Sequence, residues 1–407
     1  MIPEKKHIVL VTTWFPPIQG VAVNRMSAFA KYLYKDKFDM TVLTLEAQNA
    51  APEEILFNCD VKRLPNKRFL KLPVFKSSDK KLLHYLKVGW KIILSKLHSD
   101  IYKSWRKEVV SELNQLHDKK KIDLVISSFS PEAAHIAACE FCEKKPSVKW
   151  IADMRDEMSQ NPTISNHDKQ KYIKIENRIS KRVNAVTTVS QPLVDLFRNT
   201  TMSNVQFIEE IRNGFDHEIL IAETKANPVF TFVYCGTFYG LHKPDLFFEA
   251  IIELEKENKI LKDWRIIFVG TSQSIYIPET LKKNVSFIDR VSQQESLQYM
   301  MMADANLFMI GKSERVGVFT GKLFDYLSVG KPVLAIVNTE DVAAKLIIEL
   351  NAGFVASNQN IVEVKEAILE TLSKKQLTID KNAVLKLHRS FQVEKLNLLI
   401  DKILNEK

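Results

Sequence analysis

Gly317-Val-Phe-Thr-Gly-Lys-Leu-Phe-Asp-Tyr-Leu-Ser-Val-Gly-Lys-Pro-Val-Leu-Ala-Ile336 is the stretch from which the rest of this 407-residue chain is read. Its residues spell a tight turn, a short helix and a buried strand. Thr320 is placed to cap the helix, Leu323, Phe324 and Leu327 form a buried stripe, Gly330 suits the left-handed position past the helix end, and Pro332 forbids continuation. Val333 to Val337 then reads as a strand covered on both faces. Lys322 falls in the first helical turn, where the helix dipole disfavours a cation by roughly 0.3 kcal/mol or more. A bound anion removes that conflict. Free backbone N–H groups, two glycines allowing close approach and one lysine make a phosphate cradle. Asp325, one turn along the same side, can accept hydrogen bonds from a diol such as a ribose. A packing helix that carries a solvated lysine and an exposed aspartate fits the same residues.

Outward from this stretch the chain alternates strand and helix. His7 to Thr13 is an apolar run ending in Phe15-Pro-Pro17 and Gly20, Asn24 to Tyr34 has helical spacing, and Asp39 to Thr44 supplies the next strand. This opening is a βαβ unit of a parallel sheet. Further strands are expected at Ile122 to Ser128, Lys149 to Asp156, Ala185 to Ser190 and Gln206 to Ile211. The polar run from His217 to Pro228 reads as a linker. The second half repeats the pattern with strands at Phe230 to Gly236, Trp264 to Val269, Val285 to Ile288 and Ala305 to Ile310. In such sheets ligands collect beyond the carboxyl ends of the strands. Asp153, Arg155 and Asp156 sit at one such end and suit an acceptor-binding or general acid/base role; a salt-bridged structural cluster is the alternative. His135, on an alanine-rich helix, is a further catalytic candidate beside a purely structural reading.

The run from Gly321 to Ala335 resembles the nucleotide-sugar signature of GT-B fold, family 4 type glycosyltransferases. In that family a Glu, seven residues and a second Glu span this segment, the second holding the ribose and the first touching the donor sugar. Asp325 matches the second Glu conservatively, and Gly317 stands where the first would be. The loop from Trp14 to Arg25, with Gly20, is similar to the family's first glycine loop, Asp153-Met-Arg-Asp156 to its Asp-x-Arg-Asp run, and Asn213-Gly-Phe-Asp216 to its interdomain turn. Gly236 resembles the glycine before the family's diphosphate-binding Arg, but Thr237 follows it, so Lys243 and Lys322 are expected to carry that charge. Arg290 and Val291 follow a strand end where the family stacks the base. The resemblance implies an α/β chain of GT-B type, with two Rossmann-like, doubly wound parallel-sheet domains facing a cleft. Residues 1–215 form the acceptor-side domain and residues 216–384 the nucleotide-sugar-binding domain. The helix over 385–407 is expected to pack back on the first.

Length and composition suit two folded domains with a sizeable core. The four cysteines, Cys59, Cys139, Cys142 and Cys235, make no disulfide framework, and no cleavable signal precedes the first strand, so a reducing cytoplasm is expected. Cys139-Glu-Phe-Cys142 has a redox-motif spacing but no second pair for a zinc site and reads as two core residues. Net charge is +9, and residues 62–121 hold 17 Lys and Arg against 5 Asp and Glu, so the rest of the chain is slightly acidic. Within that segment Leu82, Leu86, Trp90, Ile93, Leu97, Ile101 and Trp105 recur at helical spacing among lysines, a basic amphipathic pattern with two tryptophans. This pattern suits either an anionic membrane surface or an ordinary core helix with a solvated face. Nucleic acid is not indicated.

No Asp-x-Asp motif and no G-x-G-x-x-G occurs. The expectation is therefore a metal-independent enzyme without a cofactor. It moves a sugar, with retention carried over from the family, from a nucleotide-diphosphate donor to a glycan or lipid-linked acceptor in cell-surface polysaccharide assembly. The departures at Gly317 and Thr237 keep two alternatives: a nucleotide-sugar epimerase of the same fold, or a non-catalytic nucleotide-sugar-binding or membrane scaffold.

Overall fold

A computed structural model describes residues 4–67, 83, 85–88, 90, 100–219, 227–238, 243–260, 263–271, 275–312, 315, 317–373 and 377–406. The first half runs β1 (Lys6–Val11), α1 (Val21–Tyr32), β2 (Phe38–Leu45), β3 (Glu53–Leu56), β4 (Cys59–Leu64), α2 (Lys103–Lys119), β5 (Leu124–Phe129), α3 (Ala133–Lys144), β6 (Lys149–Met154), α4 (Asn166–Ser180), β7 (Ala185–Thr188), α5 (Gln191–Arg198) and β8 (Phe207–Glu210). These strands form one eight-stranded sheet in the order β3-β4-β2-β1-β5-β6-β7-β8, parallel throughout except for β3 against β4. The β3–β4 hairpin turns through Phe57 and Asn58, both at positive φ. A two-residue hairpin turn needs that conformation at both positions.

The second half runs β9 (Phe230–Cys235), α6 (Asp245–Lys256), β10 (Trp264–Val269), β11 (Val285–Ile288), α7 (Gln293–Met302), β12 (Ala305–Met309), α8 (Gly321–Ser328), β13 (Val333–Val337), α9 (Val342–Glu349), β14 (Gly353–Ser357), α10 (Ile361–Leu372), α11 (Lys381–Leu385) and α12 (Arg389–Asn405). Its six strands are all parallel, in the order β11-β10-β9-β12-β13-β14. Both sheets reverse their winding, between β1 and β5 and between β9 and β12. At such switch points loops leave the strand ends in opposite directions and open a crevice.

Each sheet is covered on both faces, which is why its central strands are almost wholly apolar. Cys139 and Cys142 are free thiols inside one of these layers, with burial raising both pKa values to about 12. The stretch around Lys322 folds as its residues dictate. Leu323, Phe324 and Leu327 are buried, Gly330 sits at φ 65°, and every residue of β13 is covered.

α12 leaves the second half and packs beside α1 on the first sheet. Val393, Leu396, Leu399, Ile400 and Ile403 are buried there with Phe29 and Leu33, and a fully buried aliphatic side chain contributes about 1.5–3 kcal/mol. Asn397 accepts from the Tyr34 backbone N–H at 3.2 Å, and Lys37 pairs with Asp401 at 2.7 Å. The chain enters α12 beside the crossing strand, where Phe215 bridges His388. A Cβ on Gly214 would lie 2.0 Å from the Leu387 carbonyl oxygen, so only glycine admits this approach.

Among the described residues no helix is long and apolar enough to cross a membrane. Part of the basic amphipathic pattern around Trp90 lies outside the described residues. Of its described members, Leu86, Trp90 and Ile101 are exposed, whereas Trp105, on α2, is buried in the core with its indole N–H donating to the Thr44 carbonyl at 3.3 Å.

Candidate active site

A cavity of about 700 Å³ opens between the two sheets. Asn24 and Ser27 of α1, the crossing segment Gly214 to Glu218, Gln293 and Gln294 of α7, Gly321, Lys322 and Asp325 of α8, and Arg389 of α12 line it. The first N–H groups of α8 have no partner within the helix and face this space with the positive end of its dipole. Thr320 occupies the N-cap position, but its hydroxyl makes no capping bond and is buried without a partner. The Thr188 and Ser190 hydroxyls, at the end of β7, are also buried and unpartnered.

Lys322 Nζ donates to the Tyr234 hydroxyl at 2.7 Å and stands 4.3 Å from the centre of that ring. It also lies 3.1 Å from where a Cβ on Gly236 would be, so the glycine leaves room for the ammonium group. Among the described residues no carboxylate stands against Lys322, and burial lowers its pKa to about 8. Burial raises Asp325 to about 6, a rise that the Arg389 charge opposes. Arg389 is 4% exposed, and burial followed by the nearby Arg25 charge lowers its pKa to about 10. Lys322, Asp325 and Arg389 therefore line one cavity, together with Asp216, His217 and Glu218, and none of the three is ion-paired to another.

The first half presents charges of a different kind. Asp153 is wholly buried and accepts from Arg25 Nη2 at 2.7 Å, from Thr187 at 2.8 Å and from Ser128 at 3.1 Å. Arg25 Nη1 donates in turn to the Ile211 carbonyl at 2.6 Å. Burial pushes Asp153 up, but the Arg25 charge and hydrogen bonds outweigh it and hold the carboxyl below its usual range. With its oxygens occupied and no exposed surface, Asp153 does not meet a substrate; the expected catalytic role gives way to that of a strut. His135 is corrected likewise. It is 0% exposed, bonded through Nδ1 to Ser127 at 2.7 Å and stacked on Phe129, and burial lowers its pKa to about 3. Enclosed and neutral, it is part of the core.

Arg155 and Asp156 lie nearer the surface. Arg155 Nε donates to the Phe129 carbonyl. Asp156 accepts from Arg315 at 2.7 Å, and Glu157 pairs with the same guanidinium at 2.6 and 2.8 Å. Arg315 belongs to the loop between β12 and α8, so this pairing joins the two halves beside the cleft. Two residues on, Gly317 sits at φ 80°, and its N–H donates to Asp341 at 2.9 Å. A Cβ there would stand 2.7 Å from Ser190 Oγ and 3.1 Å from Pro192 Cβ. The position that the sequence motif gives to a sugar-contacting carboxylate is thus pressed against the first half.

Of the other expected donor-binding residues, Gly20 precedes α1 with open space around it, and Gly321 packs on Val21. Lys243 and Arg290 are exposed and Val291 is half-buried; none of the three lines the cavity. Asn24, Ser27 and Arg389 enter the site without having been anticipated.

Residues 229–374 match the family model described as glycosyl transferases group 1. No curated protein matches the chain by sequence. Among solved structures, sucrose-phosphate synthase from Thermosynechococcus elongatus superposes with a TM-score of 0.65 at 13% identity, covering 98% of this chain and 100% of that one. The lipopolysaccharide outer core galactosyltransferase WaaB, in its apo form, gives 0.60 at 11% identity over 97% and 99%. An Arabidopsis thaliana protein complexed with UDP-L-rhamnose gives 0.55 at 13% over 99% and 100%. At these identities the superpositions establish the fold, two facing parallel-sheet domains of GT-B type, and within it residues 229–374 of the second half match the group 1 glycosyl transferase model.

Proposed function

We propose that the cleft binds a nucleotide-diphosphate sugar and transfers the sugar, with retention and without a metal ion, to a glycan or lipid-linked acceptor of a cell-surface polysaccharide. The observation that carries this reading is Lys322, a half-buried ammonium group with no carboxylate partner among the described residues, at the start of α8 and on the cavity wall. Its missing partner is the diphosphate. Charge that develops on the leaving phosphate during transfer meets the α8 N-terminus and Lys322, both fixed donors. Asp325, on the same helix, accepts from the ribose hydroxyls. The Arabidopsis protein complexed with UDP-L-rhamnose supports the donor class. The acceptor enters from the first domain, on the side where Asp156 pairs with Arg315 of the second.

A thermal-shift panel of UDP, GDP, ADP and their common sugars tests the donor site, because a ligand that binds only the native state raises its melting temperature. One nucleotide family is expected to stabilise the protein, and Lys322→Ala to abolish the shift. No shift with any member would overturn the reading. Mass analysis of the products then separates transfer from epimerisation, since an epimerase releases an altered nucleotide sugar without any acceptor.

A further inference from the structure

Arg389 begins α12, the helix that packs on the first sheet, and lines the cavity. Its backbone N–H is bound by the Phe215 carbonyl at 2.9 Å. Its side chain is 4% exposed, yet among the described residues the guanidinium makes no hydrogen bond and no ion pair. A guanidinium carries five N–H donors, and burying them unmet is unfavourable unless something arrives to satisfy them. Arg25 shows how this chain treats an arginine used for structure: at 1% exposure it is tied to Asp153 and to the Ile211 carbonyl. Arg389 has been left open toward a space that Lys322 also faces.

The cation count of the site points the same way. Thr237 is exposed and carries no charge where an arginine was expected, and Lys243 stands outside the cavity, so Lys322 alone of the expected cations lines it. We propose that Arg389 is the second phosphate-binding residue of the cleft, holding the diphosphate of the nucleotide-sugar donor across from Lys322; this rests on the donor reading above. Its planar fork bonds two phosphate oxygens at once, which a lysine cannot do. The helix that closes the chain on the first domain then supplies part of the donor site, and donor binding draws α8 and α12 together.

Isothermal titration of the full chain with the nucleoside diphosphate that the wild type binds best, and with the matching phosphate-free nucleoside, tests the proposal. Arg389→Met is expected to weaken the diphosphate about tenfold or more, as loss of a charge-assisted bond does. It should leave the nucleoside within about twofold and the ligand-free melting temperature unchanged or higher, because an uncompensated buried charge has been removed. Arg389→Lys should recover part of the affinity. Unchanged diphosphate affinity in Arg389→Met, or an equal loss for the nucleoside, overturns the role of Arg389 while the donor reading stands. A lower ligand-free melting temperature with no recovery in Arg389→Lys shows a structural arginine and overturns it too. Failure of the wild type to bind any nucleoside diphosphate removes both.

Discussion

Asp153 and Asp325 are carboxylates on the cleft sides of the two domains, and their surroundings drive them in opposite directions. Asp153 has Arg25, Thr187 and Ser128 on its oxygens and stays ionised well into acid. Asp325 has a cavity in front of it and no ion-pair partner among the described residues, and burial raises it to about 6. Asp153 is tied to a cation of its own domain, whereas Asp325 faces a cavity with no ion-pair partner among the described residues. A charged residue at a strand or helix end marks a binding site when its partner is missing, and a strut when the partner is present.

The strongest way to break this comparison is to remove each carboxylate in turn. Asp153→Ala strands Arg25 at 1% exposure without its counter-charge, and urea unfolding is expected to show a loss of about 3–5 kcal/mol. Asp325→Ala removes a buried charge that was never paired, so its unfolding free energy should stay within about 1 kcal/mol of wild type or rise. Equal losses in the two variants would erase the distinction. A stable Asp153→Ala protein lacking only activity would return Asp153 to the catalytic candidates.

Arg315 sharpens the comparison because it joins the domains through charge. Its pairing with Asp156 and with Glu157, which is 3% exposed, crosses from the loop before α8 to the end of β6. Arg315→Gln should cost about 1–2 kcal/mol in unfolding, less than the Asp153 variant because the guanidinium is partly solvated. Nucleotide affinity should fall severalfold as α8 loses its anchor across the cleft. If both quantities match wild type, the pairing does not hold the domains.

Much of this arrangement was legible in the sequence, and the remainder shows where pattern reading stops. Apolar runs with helical spacing between them gave the parallel strands of both domains, because a strand covered on both faces must be apolar throughout. The β3–β4 hairpin was missed since Phe57-Asn58 reaches positive φ without the glycine that announces such a turn. Lys322 and Asp325 were visible as a spacing on one helix. Asp153 was visible only as a charge at a strand end, and its partner Arg25 lies 128 positions away, so sequence could not tell strut from catalyst. Arg389 carried no local signal: the terminal helix was read by its apolar repeat, and the cavity beside its first residue exists only once α12 has crossed back. Gly317 looked like a lost carboxylate. The structure gives it a physical reason, since a Cβ there would strike Ser190 and the backbone sits at φ 80°.

The smallest expected effect, and the one that reads the two sites against each other, is in pH. Donor binding needs Lys322 charged and Asp325 ionised, so affinity should be level between about pH 6 and pH 8. Above pH 8 it should fall by at most about tenfold per pH unit as Lys322 loses its proton, and below pH 6 as Asp325 gains one. The stability of the ligand-free protein moves the other way. Asp325 titrates higher in the folded chain than its ordinary 3.8, so the folded state holds more protons between about pH 4 and pH 6, and that contribution is lost as pH rises through 6. Lys322 titrates lower than its ordinary 10.5, so the unfolded chain holds more protons between about pH 8 and pH 10.5, and stability is gained as pH rises through that window. Asp153 contributes in the opposite sense to Asp325, its stabilisation being lost only in acid, as pH falls through its lowered value. Titrations of nucleotide affinity in Lys322→Met and Asp325→Asn separate the limbs: each variant should lose its own limb and keep the other. An alkaline limb that survives in Lys322→Met would assign the proton to a different group and leave the half-buried lysine without the role its missing partner implies.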